Sequence, residues 1–261
     1  MVEGKKKSSW EIPPPGPGTI SGFFAAWVFV GAIIGLTLIL MIIGKGPMAL
    51  RVVGYEVGID GKAPAGPELD KLVTAIKQAN PMLLAVHGTS KELTEELRQR
   101  IEVKEENVAS DGSSAIFSRY SVEKSEGARF VLIHFGETGK FGVVNVDLTK
   151  ISGGNEKPGL EKAVGLAKEE FGKTPHAILV LAGGDTPHAP SDYLDALEVM
   201  VERGKLKAED IAASDWRIFI PEGMEGNLKD CYVPTDNKAI KEFSDRVPIV
   251  AHFVFHKEDF E

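Results

Sequence analysis

Cysteine is almost absent from the chain: Cys231 is the only one in 261 residues. A single thiol excludes a disulfide within the chain and any zinc site that needs several cysteines. No histidine lies close to Cys231 in sequence, so nothing nearby would activate its sulfur. We therefore expect an inert thiol in a loop, and the cysteine count leaves the compartment open.

Basic residues are outnumbered. The chain has 30 Lys and Arg against 38 Asp and Glu, which gives a formal net charge of −8. Nucleic-acid binding draws on Lys and Arg to neutralise phosphates. The acidic balance therefore predicts no nucleic-acid partner.

Short motifs of common enzyme classes are also missing. The sequence contains no G-x-S-x-G, no P-loop, no dinucleotide fingerprint and no H-E-x-x-H. These absences predict that the protein is not an enzyme and binds no cofactor. A membrane-bound enzyme using the loop at residues 183–188 remains an alternative at this point.

Ionisable side chains are absent from residues 20–43, where Ser21 and Thr37 are the only polar side chains. As a helix, these 24 residues would span roughly 36 Å, against about 30 Å of hydrocarbon in a bilayer. The segment therefore predicts a transmembrane helix. It is too long for the apolar region of a cleaved signal peptide, so we expect a signal anchor.

Flanking charges give this segment an orientation. Lys5, Lys6 and Lys7 precede it, whereas Lys45 and Arg51 are the basic residues soon after it. The positive-inside rule then places the N-terminus in the cytoplasm and the rest outside. The predicted localisation is the inner (cell) membrane, single-pass, with a periplasmic or extracytoplasmic C-terminal domain.

Gly31 and Gly35 form a G-x-x-x-G pair within the apolar segment. Small residues four apart let a second helix approach closely in lipid, so the pair predicts helix packing in the membrane. Gly is also simply common in membrane helices, and this alternative stays open.

The rest of the chain shows internal similarity. Residues 52–53 and 143–144 are both Val-Val, and a His-Phe pair occurs at 134–135 and again at 252–253. Residues 68–79 and 90–101 have apolar side chains at helical spacing, with Ser90 as an N-cap. The order β-α-β-α-β-β fits both halves, which predicts a duplication.

The predicted fold class is α+β: one N-terminal transmembrane helix followed by two tandem two-layer α/β sandwich units. The predicted domains are a Lys/Pro-rich cytoplasmic tail at 1–19, the membrane helix at 20–43, and units at 48–138 and 139–261. Paired side by side, two such units would cover each other's edge strands.

The second unit contains a more specific pattern. Asp185 follows an apolar strand, and after a short loop come Tyr193, a helix with a Val-Met pair, and Gly204. This arrangement resembles the periplasmic domain of the ExbD/TolR family, as does the single membrane helix. The resemblance implies a polytopic ExbB/TolQ-like partner, or other membrane subunits, and a role in biopolymer transport.

The same resemblance has a departure in the membrane segment. The family's membrane helix carries a proton-handling aspartate, whereas residues 19–25 here offer only Thr19 and Ser21. The predicted function is therefore an accessory or structural subunit of a transport or motor complex without direct proton coupling. The alternative is a membrane-anchored scaffold or binding module, and a homo-oligomer is possible in either case.

Two groups of side chains suggest metal ligands. Asp185 and His188 share a glycine-rich loop, but such a loop also serves as an ordinary turn before a helix capped by Ser191 or Asp192. A second group, on the last strand, joins His252 and His256 with Glu258 or Asp259. Histidines on a terminal strand are more often half-buried structural side chains, so we predict no metal site.

Overall fold

Apolar runs and amphipathic segments alternate along the chain, and they form strands and helices in that order. The computed structural model describes residues 47–57, 64–124, 130–135, 139–148, 156–172, 175, 177–183, 188–212, 214–234 and 248–260. In chain order, the strands and α-helices are β1 (Met48–Glu56), α1 (Pro67–Ala79), β2 (Leu83–His87), α2 (Lys91–Arg100), β3 (Val108–Ser110), β4 (Ser114–Ser118), β5 (Ser121–Lys124), β6 (Phe130–Phe135), β7 (Gly139–Asp147), α3 (Glu156–Phe171), β8 (Ala177–Gly183), β9 (Tyr193–Asp195), α4 (Ala196–Glu202), α5 (Ala208–Ala212), β10 (Trp216–Pro221), β11 (Leu228–Tyr232) and β12 (Ile249–Phe255).

The strands form two six-stranded sheets of matching design. Sheet 1 has the order β11-β12-β1-β2-β4-β3 and sheet 2 the order β5-β6-β7-β8-β10-β9. In each sheet one central pair is parallel, β1 with β2 and β7 with β8, and the other pairs are antiparallel. The two sheets therefore have the same strand order.

The final hairpin of each half lies in the sheet of the other half. Strands β5 and β6 end the first half, but β6 pairs with β7 of the second half. Strands β11 and β12 end the second half, but β12 pairs with β1 of the first half. The predicted fold of two tandem two-layer units is therefore wrong. Local periodicity shows where strands occur, but it does not show which strand each of them pairs with. The boundary between 138 and 139 stays a prediction.

The layers follow from the two faces of each sheet. The inner faces of both sheets pack on each other through one apolar core that includes Val52, Leu83, Val143 and Leu179. Helices α1 and α2 cover the outer face of sheet 1, and α3 covers the outer face of sheet 2. The result is a four-layer α/β/β/α sandwich.

Local signals set the ends of the helices. Ser90 Oγ accepts a hydrogen bond of 3.2 Å from the Leu93 N–H, so the predicted N-cap of α2 is confirmed. Helix α1 starts with Pro67 and ends at Asn80, whose left-handed conformation suits a C-cap. Its apolar stripe, as the spacing predicts, is buried against sheet 1.

The predicted tail at 1–19 and the membrane helix at 20–43, with Gly31 and Gly35, lie outside the described residues. Within the part of the chain that is described, no helix is both long and apolar enough to cross a membrane.

Candidate active site at the carboxyl ends of the central strands

The inner faces of the sheets change from apolar to polar at one end of the sandwich. Every second residue of a strand faces the same side, so Leu83 and Ala85 in the inner core are followed by His87. On β7, Val143 is followed by Asn145 and then by Asp147. Both β2 and β7 belong to parallel pairs, and the carboxyl ends of such strands are where open α/β sheets hold their ligands.

Strand pairing places further residues next to His87 in sheet 1 and next to Gly183 in sheet 2. In sheet 1, His87 is paired with Glu56 on β1 and with Ser114 on β4. In sheet 2, Gly183 is paired with Asp147 on β7 and with Trp216 on β10.

A buried hydrogen bond joins the two sheets at this end. His87 Nε2 lies 2.8 Å from Asn145 Oδ1, and the two side chains are 1% and 7% exposed. A carbonyl oxygen can only accept, so His87 Nε2 is the donor. The indole of Trp216 packs on the imidazole, with ring centroids 4.4 Å apart. The orientation of the Asn145 amide is therefore fixed by its neighbours.

Two glycines make room for these rings. A Cβ on Gly54 would stand 2.5 Å from Trp216 Cε3, and one on Gly183 would stand 2.7 Å from His87 Nδ1. Neither glycine has a positive φ, so close approach rather than turn geometry is what requires glycine here.

The nitrogen of the Asn145 amide is in a different situation from its oxygen. Its Nδ2 is buried and has no hydrogen-bond partner among the described residues. A buried donor without an acceptor costs about 1–3 kcal/mol, so a ligand oxygen at this point would gain more than one at a solvated donor. Trp216 Nε1 has no partner in the described part of the chain either.

Asn145 lines a cleft of about 420 Å³. The cleft lies where the end of β7 meets α3 and the turn between β3 and β4, and its lining residues are Asp111, Ser113, Ser114, Phe130, Asn145, Val146, Asp147, Gly159, Lys162, Ala163 and Leu166. Its volume is in the range of small-molecule sites.

The charged groups of the cleft are Asp111, Asp147 and Lys162. Asp111 Oδ1 accepts from the backbone N–H groups of Ser113 and Ser114, at 2.9 and 2.8 Å, which fixes its carboxylate. No group of three or more His, Cys, Asp or Glu among the described residues is arranged for a metal ion. Mg²⁺ often uses only one or two carboxylates together with substrate phosphates, and Asp111 and Asp147 are suitable ligands of that kind.

The residues predicted from the ExbD-like pattern do not form this site. Asp185, like Gly31 and Gly35, lies outside the described residues. Tyr193 is buried in the core under α3, and burial raises the pKa of its hydroxyl to about 12. Gly204 ends α4 with a φ of +69°. Neither of them lines the cleft, and their predicted grouping as a loop and helix stays a prediction.

Other predicted features occupy ordinary structural positions. Asp195, rather than Ser191 or Asp192, caps α4 by accepting from the Leu197 N–H at 2.8 Å. Cys231 lies on β11 in the inner core rather than in a loop, and burial raises the pKa of its thiol. His188 is exposed, and His252 is half-buried opposite Arg51 on β1.

Sequence reasoning missed His87 and Asn145. Each stands at the end of an apolar run, Leu-Leu-Ala-Val-His and Gly-Val-Val-Asn. A polar side chain on the buried face of a strand was the available signal, but 58 residues separate the pair.

Comparison with solved structures places the fold. No family model and no curated protein matches the sequence. Among similar structures, D. rerio TDP2 complexed with single-strand DNA product has a TM-score of 0.54 and 14% identity, covering 78% of this chain and 98% of that one. An endonuclease/exonuclease/phosphatase family protein from Bacteroides thetaiotaomicron gives 0.54 and 12%, over 80% and 99%. An AP endonuclease from Archaeoglobus fulgidus gives 0.50 and 14%, over 78% and 99%.

These comparisons correct the predictions that rested on the ExbD/TolR resemblance. The ExbD/TolR resemblance is wrong, because the described fold is similar to that of the endonuclease/exonuclease/phosphatase structures. The transport-accessory function, its scaffold alternative and the ExbB/TolQ-like partner are wrong with it. The predicted inner-membrane localisation is corrected as well, because it rested on the ExbD/TolR resemblance, whereas the fold is that of the endonuclease/exonuclease/phosphatase structures.

Two expected absences are also contradicted. Two of the similar structures are by title an AP endonuclease and an endonuclease/exonuclease/phosphatase family protein, which contradicts the prediction of a non-enzyme. The TDP2 structure holds a single-strand DNA product, which contradicts the exclusion of nucleic acid. A loop, a tyrosine and a glycine at helix ends recur in many folds, so they were weak evidence of kinship. The chain shares the fold of the endonuclease/exonuclease/phosphatase structures.

Proposed function

We propose that the protein is a phosphoesterase whose active site is the cleft at the carboxyl end of β7. The observation that carries the proposal is Asn145, which lines the cleft and whose Oδ1 is held by His87. Its Nδ2 is a buried donor without a partner among the described residues. A phosphoryl oxygen is an acceptor that this donor fits.

The neighbouring charges suit the same substrate. The ammonium group of Lys162 offsets the negative charge of a phosphate ester, and the Asp147 carboxylate is placed to take or give a proton or to bind Mg²⁺. His87 is a positioning residue, because it is buried and acts by orienting Asn145. Donors fixed before the reaction stabilise the charge that develops in the transition state.

The titles of the similar structures suggest which esters to test first. They name an AP endonuclease, an endonuclease/exonuclease/phosphatase family protein, and TDP2 with a single-strand DNA product. Phosphodiesters, DNA included, and phosphomonoesters are therefore the two substrate classes we propose.

The test uses the full chain with bis-p-nitrophenyl phosphate, p-nitrophenyl phosphate and a short single-stranded DNA, in Mg²⁺ and in EDTA. We expect hydrolysis of at least one ester, and a fall in kcat/KM of about 100-fold or more for Asn145→Ala, the size typical of losing one such donor. Lys162→Ala should mainly raise KM.

The control is Asp230→Asn, which removes an exposed carboxylate on β11 outside the cleft and should leave kcat/KM unchanged. Circular dichroism establishes that each variant is folded. Full activity in a folded Asn145→Ala variant, or no hydrolysis of any ester by the wild-type chain, would refute the proposal.

A further inference from the structure

The cleft has two walls of different chemistry. One wall is polar and contains Asp111, Ser113, Asn145 and Asp147. The other is apolar and is built from β6, the outer side of β7 and one face of α3; its residues are Phe130, Val146, Gly159, Ala163 and Leu166. A phosphate alone would use only the polar wall.

Leu166 is not needed by the fold. The buried stripe of α3 consists of Leu160, Val164, Ala167 and Phe171, whereas Leu166 is 46% exposed. A single exposed leucine is ordinary, but this one lines the same cleft as Asn145, whose buried Nδ2 has no partner among the described residues. Its apolar surface is therefore available to a ligand that also reaches Asn145.

The shape of the apolar wall suits a flat group. Helix α3 presents to the cleft two small residues followed by a large one, at helical spacing: Gly159, Ala163 and Leu166. Phe130 contributes an aromatic ring whose orientation is set by an edge-to-face contact with Phe171, at 6.4 Å and 78°. Aromatic groups gain from such a neighbour beyond the area they bury.

We propose that the substrate's alcohol part carries an aromatic ring that lies against Phe130 and Leu166 while the phosphate meets Asn145 and Lys162. Lys162 lies on α3 between Gly159 and Leu166, so one helix contacts both parts of the ligand. The inference rests on the proposed phosphoesterase function and names the substrate class. The ring can be a simple aryl group or a nucleobase, which share this chemistry.

The experiment compares pairs of ligands that differ only by the ring. Phenylphosphonate is compared with methylphosphonate, and adenosine 5′-monophosphate with ribose 5-phosphate, as inhibitors of ester hydrolysis and by direct titration in EDTA. Phosphonates are not cleaved, so leaving-group reactivity does not enter the comparison of the first pair. We expect the member with the ring to bind at least about fivefold more tightly in at least one pair, since burying a few tens of Å² of apolar surface has an effect of that size.

Leu166→Ala should remove most of that preference and leave the affinity for methylphosphonate unchanged. The matched control is Tyr232→Ala, which truncates the other large exposed apolar side chain among the described residues and lies outside the cleft. The phenyl pair and the adenosine pair distinguish an aryl group from a nucleobase.

The two proposals fail separately. A ring preference that depends on Leu166, without hydrolysis of any ester, supports binding of an aromatic ring at Phe130 and Leu166 and refutes the phosphoesterase. Hydrolysis with equal affinity for both members of each pair overturns the inference alone. Absence of binding by all four ligands overturns it too, as does a ring preference unaffected by Leu166→Ala.

Discussion

At the scale of single residues, the site depends on missing side chains as much as on present ones. Gly54 lies on β1 directly beneath the indole of Trp216, and a methyl group there would overlap the ring. We expect Gly54→Ala to lower the free energy of unfolding by about 1–3 kcal/mol, since the ring and its neighbours must move. Urea unfolding of both proteins gives the difference.

Gly165 provides a control of opposite sign. It lies within α3, and a Cβ there would meet nothing within 4 Å. Gly165→Ala should therefore raise the free energy of unfolding by about 0.5–1 kcal/mol, because alanine is the better helix former. Equal stability of the two variants would contradict the packing argument.

A buried ion pair holds the region next to the site. Arg217 Nε lies 3.1 Å from Asp195 Oδ2, and the side chains are 2% and 6% exposed. The guanidinium also donates to the carbonyl oxygens of Ser214, Trp216 and Ile211, which ties α5 to β10. Burial is the largest influence on Asp195 and raises the pKa of its carboxyl from 3.8 to about 6, although Arg217 opposes the rise.

This shift makes stability depend on pH. A carboxyl with a raised pKa binds its proton more tightly in the folded protein than in the unfolded chain. Its contribution is fully present below about pH 4 and is lost as the pH rises through about 6, by up to about 3 kcal/mol. The measurement is the free energy of unfolding from pH 4 to 7.5.

Asp195→Asn should flatten the profile over that window, because the amide keeps the cap on Leu197 but does not titrate. Loss of the charge opposite Arg217 will shift the free energy of unfolding at every pH. The slope of that free energy against pH is therefore the quantity to compare. Asp230→Asn, at an exposed position, should keep the wild-type slope. An Asp195→Asn profile parallel to wild type would exclude Asp195 as the group responsible.

At the scale of elements, local patterns in the sequence predicted much of the fold. The stripe of Leu69, Leu72, Val73 and Ile76 predicted α1, and the apolar run at 82–87 predicted β2. These features repeat every two or 3.6 residues, so they can be recognised in a short window. The cap at Ser90 is equally local.

The pairing of elements could not be predicted in the same way. The hairpin β11–β12 pairs with β1, about 200 residues earlier in the chain, and β5–β6 pairs with β7 instead of remaining with the strands before it. The two sheets have the same strand order, so a local pattern does not distinguish one edge from the other. The site shares this difficulty: His87 and Asn145 come from different sheets, and their contact depends on how the sheets pack.

At the scale of the whole molecule, the exchange of hairpins makes the halves inseparable. Each sheet contains strands from both halves, and one inner core joins side chains of both sheets. Two independent tandem units would unfold separately, whereas this arrangement should unfold residues 47–261 in one cooperative transition. A substitution that destabilises one sheet should therefore destabilise the other as well.

Leu83→Ala tests this coupling by truncating a fully buried side chain of sheet 1 in the inner core. The cavity should cost about 2–5 kcal/mol. Amide hydrogen exchange of the full chain, followed peptide by peptide, should then show the same loss of protection in β8 of sheet 2 as in β2 of sheet 1. Leu166→Ala, at an exposed position, should leave the protection of both β2 and β8 unchanged. Loss of protection confined to sheet 1 would mean that the sheets open independently, against the shared core and the exchanged hairpins.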